Sequence, residues 1–243
     1  MKQVIIIPAR YGSTRFPGKL LVELWGKPLI QHVYERALAT GVKEIYVATD
    51  DKRIFDTVRN FGGKAVYTGE HISGTDRVAE AVNILGLDEE DLIINIQGDQ
   101  PLFPAEYLSP LLKPLILHSE IPMATLAAPI KNKEDLFNPN RVKVVLDKRG
   151  CALYFSRSPI PFHRPPGKEP IYLKHIGVYA YRKNFLDEFV RLPQGELEQA
   201  EKLEQLRALE NGYKIAVSIV PKDFPEVDTP EDLDFLRSLG EGA

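Results

Sequence analysis

The stretch Lys2-Gln3-Val4-Ile5-Ile6-Ile7-Pro8-Ala9-Arg10-Tyr11-Gly12-Ser13-Thr14-Arg15-Phe16-Pro17-Gly18-Lys19 decides the fold class. Residues 4–7 are apolar without alternation, the pattern of a strand buried on both faces. The residues after them form a loop with two glycines, two hydroxyls, two arginines and a lysine. In open α/β sheets ligands bind beyond the carboxyl ends of the strands, so this loop falls at the ligand end. Backbone N–H groups freed at Gly12, Ser13 and their neighbours can cradle phosphate oxygens. Arg10, Arg15 and Lys19 can neutralise a triphosphate. Two better-known phosphate loops do not fit. A Walker A loop has four residues between its glycine and Gly-Lys, whereas five separate Gly12 from Gly18, and Leu20 stands where Ser or Thr is required. The dinucleotide pattern Gly-x-Gly-x-x-Gly is absent as well. On this segment alone a flexible basic surface loop stays open as the plain alternative.

Working outward, short β-branched runs alternate with amphipathic stretches. The patterning predicts a helix over 28–40, with Pro28 in its first turn and Gly41 as its stop. It then predicts a strand over 45–49, a helix over 51–61 ended by Gly62-Gly63, and a strand over 65–67. A helix over 76–85, a strand over 92–96 and a helix over 104–118, displaced by its prolines, follow. This βαβα order predicts an α/β fold with a doubly wound, mainly parallel sheet. From about Asn138 the texture changes to strand-like runs at 141–146, 152–156 and 174–182, with a hairpin turn over 147–150. Residues 159–170 are Pro-rich and basic, and so a loop. A helix over 196–210, a strand over 215–220 and a helix over 229–239 complete the chain. With no repeat and no clean linker, the expectation is one domain over 1–243, with 138–182 as a β-rich insertion on the same sheet.

Composition narrows the function classes. Lys and Arg total 31 against 34 Asp and Glu, a net charge of −3, so there is no global basic field for nucleic acid and any anion site is local. Cys151 is the only cysteine, which rules out an intramolecular disulfide and a cysteine-built zinc cluster. The N-terminal apolar run is too short for a signal segment, and Arg10 follows it. No stretch approaches the ~20 apolar residues of a bilayer span. The reading is a cytoplasmic protein with no membrane and no nucleic-acid partner.

The segment from Ile6 to Leu20 closely resembles the start of the 3-deoxy-manno-octulosonate (Kdo) cytidylyltransferases, the CMP-Kdo synthetase family. The loop alone would imply only the wider nucleotidyltransferase superfamily. Seven further motifs in order make the resemblance specific over nearly the whole chain. They are Val47-Ala48-Thr49-Asp50, Ser73-Gly74-Thr75-Asp76-Arg77, Asn95-Ile96-Gln97-Gly98-Asp99-Gln100-Pro101, Tyr154-Phe155-Ser156-Arg157, His175-Ile176-Gly177-Val178-Tyr179, Leu203-Glu204-Gln205-Leu206-Arg207 and Val227-Asp228-Thr229-Pro230-Glu231-Asp232-Leu233. The resemblance implies a nucleotide-diphospho-sugar transferase type of fold and a homodimer. It implies the reaction CTP + Kdo → CMP-Kdo + pyrophosphate with Mg²⁺ as cofactor, a step that activates Kdo for lipopolysaccharide biosynthesis.

Roles for single residues follow from the residues and the resemblance together. Asp99 comes three residues after a buried strand, at the ligand end of the sheet. Asp228 comes after another strand and before a helix. Mg²⁺ takes oxygen ligands and is commonly held by one or two carboxylates plus substrate phosphates. Asp-Thr-Pro-Glu-Asp is also a helix-start signal, so Asp228 or Thr229 can equally be an N-cap. The resemblance assigns the metal to Asp99 and Asp228, and catalysis to these two with Arg10 and Lys19. Ser73–Arg77 opens a helix. Its plain reading is a cap with a solvated arginine; its functional reading is a base pocket of helix N–H groups plus Arg77. The resemblance implies CTP contacts at Pro8, Ala9, Arg10, Gly12, Ser13, Lys19, Ser73, Thr75, Arg77, Gln97 and Asp99. It implies sugar-acid contacts at Arg15, Gln97, Arg157, His175, Tyr179, Glu204 and Gln205. Four of these have a plain reading too: Arg157 as a rim charge, His175 as a core histidine with a satisfied hydrogen bond, Glu204 and Gln205 as surface polar positions. A cytidylyltransferase for sialic acid or an amino-substituted Kdo, a hexose-1-phosphate nucleotidyltransferase and a non-catalytic nucleotide-binding regulator are the rival functions.

Overall fold

The structure is a computed structural model that describes residues 1–13 and 15–240. Thr14, part of the first loop's motif, lies outside the described residues. The chain divides into two units. One runs from Met1 to Leu108 and resumes at Phe224; the other is Ser109–Asp223.

The first unit is built on the alternation read from the sequence. Its strands are β1 (Gln3–Pro8), β2 (Glu23–Leu24), β3 (Lys27–Pro28), β4 (Glu44–Thr49), β5 (Ala65–Tyr67) and β6 (Leu92–Asn95). Its helices are α1 (Leu29–Ala39), α2 (Lys52–Asn60) and α3 (Gly74–Ile84). The order β6-β1-β4-β5 is parallel throughout. Val4, Ile5, Ile6 and Ile7 are all completely buried, which is why β1 shows no polar alternation. Local side chains set the helix starts. Asp51 caps α2 by accepting from the N–H groups of Arg53 and Ile54, and Ser73 caps α3 by accepting from Asp76. Pro28 is extended, with φ −56° and ψ 143°, and ends β3 instead of opening the helix, so α1 starts one residue later than the periodicity predicts. The β2–β3 hairpin is not foreseen in the sequence. It turns through Trp25 and Gly26, both at positive φ, as a type I′ hairpin requires. Trp-Gly is a weaker signal for that turn than Asn-Gly.

The second unit carries α4 (Leu108–Leu117, its first residue at the boundary), β7 (Met123–Pro129), α5 (Lys133–Phe137), β8 (Lys143–Leu146), β9 (Ala152–Ser156) and β10 (Leu173–Arg182). It continues with α6 (Lys183–Phe189), α7 (Glu196–Glu201), α8 (Leu206–Glu210) and β11 (Ile215–Ile219). β7 pairs antiparallel with β10 and parallel with β11, and β8 pairs antiparallel with both β9 and β10. The sequence pattern leaves β7 and α5 unassigned. Met-Ala-Thr-Leu-Ala-Ala-Pro has little β-propensity of its own, and a strand with neighbours on both sides does not need it. Residues 138–182 hold β8, β9 and β10.

The single helix predicted over 196–210 is two short helices. Lys202 between them is left-handed, with φ 52° and ψ 48°. Tertiary bonds account for the break. The Arg157 guanidinium donates to the carbonyls of Glu201 at 2.6 Å and Lys202 at 3.2 Å, groups that a continuous helix would use internally. The Glu201 carboxylate in turn accepts from Ser156 Oγ at 2.6 Å and from the Arg157 N–H at 2.9 Å. Arg207 on α8 donates twice to Glu198 on α7, at 2.8 and 2.7 Å, and both side chains are buried.

β10 also departs from regularity. Its pairing with β7 runs His175↔Ala127, Ile176↔Leu126 and then Tyr179↔Thr125, so Gly177 and Val178 bulge out. Thr125 Oγ1 lies 3.1 Å from the Ile176 carbonyl and 2.8 Å from that of Val178, and bonds the bulge across the sheet. In a regular strand His175 and Tyr179 would stand about 13 Å apart. The bulge brings their rings to 5.4 Å between centroids, with Phe155 edge-on to His175 at 5.0 Å. His175 Nε2 is 2.9 Å from Thr125 Oγ1. Among the described residues, no helix is long and apolar enough to cross a membrane.

Burial, with a smaller effect of the neighbouring Lys174 charge, pushes the His175 imidazole down from 6.5 to about 3. The unfolded chain therefore binds a proton there that the folded chain refuses between those values. Stability is complete above the unfolded value and falls as pH drops through it. Between pH 7 and pH 5 this one residue should cost about 2 kcal/mol. Urea unfolding of the wild-type protein and His175→Gln at both pH values should show a steeper loss in the wild type; equal losses would mean that His175 is protonated in the fold.

Candidate active site

In the first unit two glycines bring three segments together. The loop after β1 turns back on itself, with the Gly18 N–H donating to the Tyr11 carbonyl at 2.9 Å. Gly18 has φ +72°, and a Cβ there would stand 3.0 Å from the Tyr11 ring, so glycine is required. The turn delivers Lys19 to the start of a 3-10 turn, Lys19–Leu21. From the other side comes the turn after β6. A Cβ on Gly98 would stand 3.0 Å from the Pro8 carbonyl oxygen and 3.2 Å from a Leu20 methyl, so only a bare backbone lets Gln97-Gly98-Asp99 lie against the loop.

These approaches aim two carboxylates at one cation. Lys19 Nζ donates to Asp99 Oδ2 at 2.7 Å, to Asp228 Oδ1 at 3.2 Å and to the Val227 carbonyl at 2.8 Å. The Val227 N–H donates to the Asp99 carbonyl at 2.9 Å, which ties the two aspartate segments through the backbone. Arg15 reaches Asp228 Oδ1 at 3.0 Å. The N-cap question at Asp228 is answered by its neighbour. Thr229 caps the C-terminal helix Pro230–Leu239 in a capping box with Asp232, and the Asp228 N–H also goes to Asp232, at 2.9 Å. The Asp228 carboxylate is thus spare from capping and faces Lys19 and Arg15. Among the described residues no group of three or more His, Cys, Asp or Glu converges as a metal site. The protein's own donors here are two hard carboxylates that already share a cation, a set suited to Mg²⁺ completed by water and phosphate oxygens.

Beside this cluster opens a cavity of about 380 Å³. Pro8, Ala9, Arg10, Ser13 and Lys19 line it from the first loop, with Arg15. Ser73, Arg77, Gln97, Asp99 and Asp228 complete the predicted residues on its wall. Gly12 and Thr75 are not on the wall, and Thr75 is buried behind it. Ser73 Oγ is engaged in capping α3. Arg77 is almost wholly buried, donating to Thr68 Oγ1 at 2.6 Å, the Gly69 carbonyl at 3.3 Å and Asp50 Oδ2 at 2.8 Å. Its guanidinium thus secures the strand ends and is not the solvated charge of the plain reading. Leu20, His71, Ile72, Gly74 and Gly98 also line the cavity and are missed by the sequence reading. Leu20, Gly74 and Gly98 lie inside the quoted motifs, and His71 and Ile72 have only adjacency to Ser73 as a signal. Ile72, 93% exposed, is an apolar residue left bare at this wall.

The remaining predicted residues sit in the second unit. Arg157 spans three carbonyls, those of Glu201, Lys202 and, at 2.9 Å, Pro139. Lys143, missed by the sequence reading, is buried and donates to the carbonyls of Asn138 and Arg157 at 3.0 and 2.5 Å. Burial holds its pKa below the usual lysine value. His175 and Tyr179 stand side by side on the β10 bulge. Gln205 is buried at the start of α8 and is no surface position, while Glu204 next to it is half-buried and lies 3.7 Å from Arg207.

Comparison with known proteins agrees with this architecture. The 8-amino-3,8-dideoxy-manno-octulosonate cytidylyltransferase of Shewanella pealeana is 58% identical over 236 residues, 96% of each chain. The 3-deoxy-manno-octulosonate cytidylyltransferase of Syntrophobacter fumaroxidans is 54% identical, covering 96% of this chain and 95% of its own. A solved structure of CMP:2-keto-3-deoxy-manno-octonic acid synthetase complexed with CTP superposes with a TM-score of 0.92 at 47% identity over 98% of both chains, which establishes the mainly parallel α/β fold for this chain. The family model for cytidylyltransferases matches residues 4–215, and the chain belongs to that family, as its series of motifs implied.

Proposed function

We propose that this protein transfers the CMP group of CTP to the anomeric hydroxyl of Kdo, releasing pyrophosphate. The observation that carries the reading is the pair of carboxylates, Asp99 and Asp228, meeting on Lys19 at a cavity walled by the first loop. Nucleotidyl transfer needs little covalent help from a protein; it needs positioning and neutralised charge. Arg10 and Lys19 take the triphosphate oxygens, and the Ser73–Arg77 helix start takes the base. The hydroxyl oxygen of the sugar forms the new bond to the α-phosphorus while the bond to the α–β bridging oxygen breaks in line. Asp99 and Asp228 hold Mg²⁺, which when bound supplies positive charge at the phosphate oxygens. On the sugar side, Arg157 keeps one N–H on each terminal nitrogen beyond its three carbonyl bonds, a fork for a carboxylate. His175, Tyr179, Glu204 and Gln205 complete the sugar-acid contacts, His175 as a neutral ring. The same reading makes the protein a cytoplasmic homodimer, with 138–182 as an insertion that adds sugar-acid and subunit contacts.

A second reading has its own support. The Shewanella pealeana relative at 58% identity is an 8-amino-Kdo enzyme. Pyrophosphate release with CTP against Kdo, 8-amino-Kdo and sialic acid separates the two. A higher kcat/KM for Kdo is the expected outcome; a clear preference for the amino sugar transfers the proposal to it.

Asp99→Asn and Asp228→Asn should each lower kcat by on the order of 10²-fold, the scale of losing one charge-stabilising group, with the fold intact by circular dichroism. Near-normal turnover of either purified variant at saturating Mg²⁺ would remove that residue from the metal site. Arg157→Ala should raise KM for the sugar acid about 10–150-fold, the worth of a charge-assisted hydrogen bond, and leave KM for CTP unchanged. It should also lower Tm, because three carbonyls lose their donor. Arg157→Lys should restore charge without the planar fork. A fall in Tm with an unchanged sugar KM would make Arg157 a scaffold residue only.

A further inference from the structure

On the wall of the nucleotide cavity stands His71, which with its partner Glu80 behind it has no role in the reading above. His71 precedes the Ile72-Ser73 segment and lines the cavity. Its Nε2 lies 2.5 Å from Glu80 Oε2, on α3, and the same oxygen accepts the Gly69 N–H at 2.9 Å. The hydrogen bond from His71 is the largest influence on Glu80 and holds its carboxyl below the usual glutamate value, with Arg77 adding in the same direction. Glu80 is therefore an ionised acceptor at neutral pH. A carboxylate only accepts, so Nε2 carries the ring proton. In the neutral ring Nδ1 is then a bare acceptor, and no bond to it is made among the described residues. Arg10, Arg15, Lys19 and Arg77, on the same wall, are donors only.

We propose that His71 is a specificity-determining residue of the nucleotide site, its tautomer set by Glu80 so that the ring offers an acceptor to the exocyclic amino group of the base. Cytosine presents an amino donor where uracil presents a carbonyl acceptor. A site that hydrogen-bonds the donor rejects the analogue, because two acceptors are left facing each other. The inference rests on the cavity taking CTP.

The test is kcat/KM for CTP and for UTP at pH 8, by pyrophosphate release, in the wild type, His71→Phe and Glu80→Gln. The Phe variant keeps a ring and removes the acceptor. The Gln variant offers an amide donor to Nε2 and so lets the ring proton move to Nδ1. Both nucleotides are measured on the same preparation, so the CTP/UTP ratio does not depend on how much of a variant is folded. The ratio is expected to fall about 10-fold or more in both variants, mainly through loss of CTP activity in the first and partly through a rise for UTP in the second. Equal losses for both nucleotides would make the pair a scaffold for the 69–73 wall and overturn the proposal, as would an unchanged ratio. A wild-type enzyme with no preference for CTP would overturn the CTP reading itself, a result distinct from either.

Discussion

One ammonium group organises the first unit. Lys19 Nζ bonds Asp99, Asp228 and the Val227 carbonyl, residues 80 to 209 positions away in sequence. Without that shared cation two partly exposed carboxylates would repel each other against the backbone bond from Val227 to Asp99. With it, both stay at the mouth of one cavity. The glycines at 18 and 98 make the approach possible, since side chains there would strike Tyr11 or Pro8 and Leu20. The site is thus a consequence of where backbone can come close to backbone, and the charges then hold it there.

In the second unit, Arg157 works in the same way on a different problem. It takes carbonyls from the end of α7 and from left-handed Lys202, and so stabilises a helix break that the local sequence does not request. Just past the break, Gln205 is buried at the start of α8. Buried Lys143 then holds the Arg157 carbonyl, so one cation fixes another through the backbone. Isolated, each of these residues reads as a surface charge. Together they shape the backbone around Glu204 and Gln205.

The bulge in β10 shows how a strand can gather residues that regular geometry keeps apart. Thr125, completely buried on the neighbouring strand, meets the carbonyls that the bulge would leave unpaired and sits against His175 as well. Burial against Thr125, Phe155 and Tyr179 keeps His175 neutral at pH 7.

The sequence by itself determined the parallel α/β frame, the ligand end of its sheet and the order of the motifs. Each of those is written in local pattern: the unbroken apolar run at 4–7, the capping residues Asp51, Ser73 and Thr229, and the placement of Asp99 just past a buried strand. It also carried the family, through eight short segments whose spacing no single element explains. The sequence leaves the cap open between Asp228 and Thr229, and the local capping box of Thr229 with Asp232 gives it to Thr229. The tertiary structure alone decided the break at Lys202, the β10 bulge, the strand hidden in Met-Ala-Thr-Leu-Ala-Ala-Pro and the pairing of His71 with Glu80. All of these depend on bonds between residues distant in the chain or across elements, and such bonds leave no periodicity in the sequence to be read.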